Sequence, residues 1–226
     1  DFNSLQLQYQ RRLSRGLQAV ASYTFAKSID TASSESAPLV SISRIDPLQD
    51  RGPSDFDLRH VFSGAISYTI PKHELGRFAD AILNDWAIDS IVKANSAAPV
   101  NITSGVALFG LQSIARPDLI SGVPVYLDDK TVPGGRRINR SAFIAVPLVS
   151  GALTRQGSLG RNSLRGLPLF ETDLTLRRQF KLAERFKLQF RTDFFNIFNH
   201  PNFGSVCSNL STCGTQFGIP TKMFGR

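Results

Sequence analysis

Three groups of residues have types and spacings that could do chemistry: the histidines, an acidic run and a pair of cysteines. The chain has three histidines, His60, His73 and His200. Nucleophilic catalysis needs Ser, His and an acid brought together, and no serine sits in a nucleophile-elbow pattern. His60 begins an alternating segment on its apolar side, His73 lies in a connection, and His200 lies in the turn-forming stretch NHPN. The expectation is a protein that is not an enzyme, with no catalytic residue and no cofactor. Asp50, Asp55 and Asp57 in DRGPSDFD raise calcium, but an EF-hand loop needs regularly offset ligands and a closing Glu. Their spacing points to turns and the start of a strand. Asp128 and Asp129 read as a solvated loop pair. PGGRR and LGRNSLRG are Gly-rich, yet neither has the G-x-x-x-x-G-K-[ST] form, so both read as turns. NIT at 101–103 matches a glycosylation acceptor by chance. Cys207 and Cys213 stand in CSNLSTC, without the second pair that a metal site would need. A loop disulfide and two free thiols both fit; the disulfide would suit an oxidising compartment. No metal site is assigned.

Composition narrows the class. The net charge is +8, but the basic residues are scattered without a lysine-rich run, so nucleic acid is not an expected partner. Hydrophobic content of 42% and charged content of 19% fit neither a disordered chain nor a helical membrane protein. No stretch approaches the ~18 apolar residues of a membrane helix, whereas a membrane strand needs only ~10 alternating ones. The first residues, DFNSLQLQ, carry no Met, basic n-region or apolar core of a signal peptide. They read as a cut within a longer protein, so location is not legible from them.

Period-two alternation is the strongest signal, and it marks strands with two unlike faces. Strands are expected near 4–14, 17–27, 59–70, 85–96, 168–180 and 185–198. In LQLQYQRRL, Leu5, Leu7, Tyr9 and Leu13 share a face opposite Gln6, Gln8, Gln10 and Arg12. Arg11 is the exception, placed where a long side chain can snorkel. LQAVASYTF puts Tyr23 and Phe25 on one face, and a hairpin about residue 15 would set Leu13 against Leu17 and Leu7 against Tyr23. HVFSGAISYTIP places His60, Phe62, Ile66 and Tyr68 together; DWAIDSIVKANS opposes Trp86 and Ile88 to Asp89 and Lys93, with Ile91 crossing over. LFETDLTLRRQF sets Phe170 and Leu174 against Glu171, Asp173 and Arg177. RFKLQFRTDFFNIFNHPNFG sets Leu188, Phe190, Phe194 and Phe198 against Lys187, Gln189, Arg191 and Asp193. Asp173 and Arg191 could meet across the last hairpin. Phe195 and Ile197 break the alternation and are expected under a loop at the strand's outer end.

Connections alternate between short and long, the latter being 28–58, 97–166 and 199–226. KHELGRFADAILN can hold one helical turn, and KLAER is a short turn. Strands of about 10–12 residues exceed the ~5–6 usual in soluble sheets. Both features suit a transmembrane β-barrel with short periplasmic turns and long external loops. The expected fold is all-β: an antiparallel transmembrane β-barrel portion of about six strands, an incomplete barrel. Leu7, Tyr9, Tyr23, Phe62, Ile66, Trp86, Ile88, Phe170, Leu174, Leu188, Phe190 and Phe194 would face lipid. Gln8, Gln10, Arg12, Asp89, Lys93, Glu171, Asp173, Arg177, Lys187, Gln189, Arg191 and Asp193 would face the lumen.

DLRHVFSGAISYTIP, RPDLISGVP, GRNSLRG and LQFRTDFFNIFNHPNFG resemble the C-terminal barrel of Oar-like TonB-dependent outer-membrane transporters of acidobacterial type, which carry a carboxypeptidase-regulatory-like N-terminal domain. The resemblance covers nearly the whole chain. It implies a larger barrel around a plug, energised through TonB, in the outer membrane of a Gram-negative bacterium. Neither plug nor TonB-contacting segment is read here, nor a final strand ending in an aromatic residue. The resemblance therefore implies one part of a transporter, whose partners are outer-membrane lipid, its own plug and remaining strands, the TonB complex and an external substrate of unknown kind. Two other readings fit the alternation: a passive porin or adhesin-like barrel, and a soluble β-sandwich binding module.

Overall fold

The computed structural model describes residues 1–33, 47–72, 74, 76, 80, 82–105, 115–150, 153–181 and 185–224. Six long strands form one antiparallel meander, each hydrogen-bonded to the next in sequence. They are β1 (Phe2–Ser14), β2 (Leu17–Asp30), β3 (His60–Thr69), β4 (Trp86–Asn95), β5 (Leu169–Lys181) and β6 (Lys187–Phe194). β1 and β6 lie at opposite edges, so the sheet is not closed.

The pairings run unbroken across the sheet and sort its residues into two faces. One row joins Leu7, Tyr23, Phe62, Ala94 and Phe170; another joins Ala19, Ile66, Ser90, Leu174 and Phe194. The alternate rows join Gln8, Ser22, Ser63, Lys93 and Glu171, and Gln18, Ser67, Asp89, Thr175 and Asp193. Because side chains alternate along each strand, apolar rows fall on one side and polar rows on the other. Leu7, Tyr9 and Ile66 remain 56%, 59% and 52% exposed. A sandwich would cover such residues with a second sheet; among the described residues none lies over this face.

The first hairpin corrects one expected pairing. Ser14, not Leu13, lies opposite Leu17, and a bulge falls between Arg11 and Ser14. The loop is the two residues Arg15 and Gly16, with φ of 50° and 79°, the positive pair of a type I′ turn whose twist matches the strands. Gly16 is required twice over, since a Cβ there would stand 2.3 Å from the Thr69 carbonyl oxygen. The bulge restores the register, so Leu5, Leu7 and Tyr9 still meet Phe25, Tyr23 and Ala21.

In the connection between β3 and β4, Asp80 N–H donates to the Gly76 carbonyl and Asn84 N–H to that of Asp80, two successive bonds of helical spacing where one turn is expected. His73 and residues 182–184 of KLAER lie outside the described residues. At the other end, β6 stops at Phe194 rather than at 198. Asn196 and Asn199 take positive φ of 46° and 48°, a conformation Asn tolerates, and the Asn196 side chain bonds both backbone groups of His200. Phe195 and Ile197 are therefore 64% and 45% exposed, not tucked under a loop. Phe198 lies beside the Phe170 ring, 6.3 Å between centroids.

The main buried hydrophobic cluster is not in the six long strands. Ile102, Ile138, Phe143, Leu159, Leu164, Leu210 and Phe217 form it, all contributed by the long connection after β4 and the segment after β6. Both leave the same end of the meander, so they fold together as a cap above it.

Candidate functional site: a polar strand face beneath a folded cap

On the polar face, Arg177 and Arg191 stand opposite each other on β5 and β6, a pairing that like charges ordinarily disfavour. Each has its own aspartate. Arg177 Nε donates to Asp89 Oδ2 at 2.7 Å, and its terminal nitrogen reaches Ser67 Oγ at 3.2 Å. Arg191 Nε donates to Asp193 Oδ1 at 2.9 Å, and Thr175 Oγ1 donates to the same oxygen at 2.6 Å. Asp173 does not meet Arg191; its Oδ1 accepts the Asn196 N–H at 2.9 Å, because the register sets Arg191 opposite Arg177, four residues further along β5. Asp89, Asp173, Thr175, Arg177, Gln189 and Arg191 surround a depression of about 250 Å³. Gln8, Gln10, Lys93, Glu171 and Lys187 share this face through the same rows, while Arg12 falls inside the bulge, where the pairing assigns it no partner.

The opposite face holds Leu7, Tyr9, Tyr23, Phe62, Ile66, Trp86, Ile88, Phe170, Leu174, Leu188, Phe190 and Phe194. Two of its polar groups find partners within the sheet. Ser90 Oγ donates to the Asp173 carbonyl at 3.1 Å. The Tyr23 hydroxyl lies 2.7 Å from His60 Nδ1, and Phe25 packs on the same imidazole. Arg178 continues the apolar alternation and was not singled out by sequence. It lies across from Trp86 and Phe190, with its guanidinium 5.3 Å from the Trp86 ring and 4.4 Å from the Phe180 ring. Cation–π contact on both sides lets a charge sit at the inner end of an apolar face.

The acidic run does its work at the outer rim. Asp50 and Arg116 are both buried and joined at 2.6 Å; Arg116 also donates through Nε to the Leu159 carbonyl and through a terminal nitrogen to that of Gln49. Asp55 accepts from Asn162 Nδ2 at 2.6 Å, and Arg161 bridges to Asp30 and to Ser33 Oγ. Asp57, fully buried, accepts from Arg165, from Arg59 Nε at 3.1 Å and from the Ser28 N–H at 2.7 Å. Burial alone would push the Asp57 carboxyl up, but the Ser28 amide, Arg165 and Arg59 together hold it below the ordinary carboxylate value. Asp118 is likewise held low, chiefly by Arg155. Gly52 is needed where the chains cross, since a Cβ there would stand 2.5 Å from the Arg161 carbonyl oxygen. DRGPSDFDLRH, RPDL and GRNSLRG thus converge on one latch that ties the cap to the rim. LGRNSLRG, read as a turn, supplies two of its arginines. Cys207 and Cys213 form a disulfide, Cα atoms 5.8 Å apart, and Cys213 lies in the cap core. The Asp129 carboxylate accepts from the Thr131 hydroxyl at 2.5 Å, within its own turn.

A two-faced antiparallel meander, its apolar side uncovered and its long connections folded at one end, defines the wall of an outer-membrane β-barrel. The family model for the outer membrane beta barrel domain matches residues 1–225, and the chain belongs to that family. It resides in the outer membrane of a Gram-negative bacterium. No match was found among curated proteins or among solved structures.

Proposed function

We propose that this barrel wall and cap belong to an energy-coupled transporter of the TonB-dependent, Oar-like type, taking up an external substrate and doing no bond chemistry. The observation that carries the reading is the latch. Three of the four segments that resemble Oar-like receptors supply Asp57, Arg116, Arg161 and Arg165 to the ion pairs that hold a folded cap over the outer end of the polar face. A held cap suits capture at the surface followed by gated passage. The polar face, with its paired Arg177–Asp89 and Arg191–Asp193, suits hydrogen-bonded contact with a plug. Lipid covers the apolar face, and further strands pair with the free edges of β1 and β6.

The full-length protein in a planar lipid bilayer separates this reading from a passive porin. A plugged transporter shows no steady open-pore conductance, and its uptake in cells stops when TonB is deleted. Stable open channels, with transport indifferent to TonB, would establish the passive alternative instead.

A further inference from the structure

A cavity of about 630 Å³ lies between the barrel rim and the cap, within the ~300–1,000 Å³ range of small-molecule sites. Its floor is the outer end of the polar face, where Asn95 and Leu169 lie opposite each other. Phe203 and Phe224 add aromatic surface to the wall. Asn101 also lines it, and its carboxamide oxygen is closed to solvent with no hydrogen-bond partner. An unmet buried acceptor is costly, so turning this carboxamide toward the cavity to meet a ligand hydroxyl relieves that cost. No Lys, Arg or His lines the cavity among the described residues, and its one carboxylate, Asp55, is already engaged by Asn162 and Arg161.

We propose that this cavity is an external capture site for a neutral, polyhydroxylated ring ligand, namely the end of an oligosaccharide. The inference rests on the transporter reading insofar as the bound ligand is cargo for the polar face below. An anionic ligand would lose its hydration here against no counter-charge. Sugar hydroxyls can both donate to the Asn101 oxygen and accept from the Asn95 and Asn101 amides. The C–H faces of a sugar ring cover Phe203 and Phe224, which would otherwise line a wet opening.

Purified full-length protein in detergent is screened against an array of neutral oligosaccharides, an anionic ferric catecholate complex and uncharged peptides, and hits are measured by calorimetry. Neutral oligosaccharides should bind and the anionic complex should not. Asn101→Leu and Phe224→Ala should each weaken binding roughly tenfold or more, with heat-modifiable gel mobility showing that the barrel still assembles. If Asn101→Leu does not assemble, Phe224→Ala decides alone. The proposal is overturned if no oligosaccharide binds, if the catecholate or a peptide binds instead, or if oligosaccharide binding survives both substitutions. Binding needs no energy source, so a passive barrel that still binds would remove TonB coupling and leave the site standing. TonB-dependent uptake without such binding would remove the site alone.

Discussion

Ile66 and Ala65 are neighbours midway along β3, yet the pairing turns one to the apolar rows and the other to the polar rows. Arg at a lipid-facing mid-depth site costs about 2–4 kcal/mol. Ile66→Arg should therefore impair assembly of the full-length barrel, read as loss of heat-modifiable mobility, while Ala65→Arg should leave it near normal. Asp50→Ala acts through a different residue-scale effect. It leaves the Arg116 guanidinium buried without its carboxylate, a change of about 3–5 kcal/mol. Limited proteolysis should then cut the cap at protease concentrations that the parent protein resists. The face of each strand residue was legible because alternation is local and each apolar residue must share a side with the next. Arg178 was not legible: it falls on an apolar position, and only the placement of Trp86 and Phe180 around it explains the charge.

At the scale of elements, the latch and the disulfide hold the cap. Asp57 has a folded-state pKa below its ordinary value of 3.8. Its contribution is therefore complete above the unfolded value and is lost as pH falls through the folded one. Protease resistance of the cap should persist at mildly acidic pH and disappear only below about pH 4. The Cys207–Cys213 bond closes a short loop, and chain-entropy reasoning assigns such a loop about 2 kcal/mol. Cys207→Ser should raise hydrogen exchange around Phe217 and Leu210 while the strands keep their protection, as mass spectrometry would show. The strands were legible as elements, but the cap was not. Asp50 meets Arg116 and Asp57 meets Arg165 across 66 and 108 residues, and no local period announces a pairing of that reach. The end of β6 was overrun for a related reason: Phe198 keeps the apolar alternation, but Asn196 and Asn199 turn the backbone first.

For the whole molecule, the central claim is that one open sheet separates lipid from a polar interior, with its cap on the outer side. Length, composition and alternation disclosed that two-faced wall; the disposition of the polar rows as a working passage depends on the strands that complete the barrel. Single cysteines carrying an environment-sensitive fluorophore at positions 64 to 69 of β3, in the full-length protein reconstituted into lipid, test it most directly. Cys207 and Cys213 are joined and do not compete with the introduced thiol. Spin-labelled lipid should quench the probe at the positions of Gly64, Ile66 and Tyr68, and quench it little at those of Ala65, Ser67 and Thr69. Quenching that is equal at all six positions, or that follows the opposite alternation, would contradict the account.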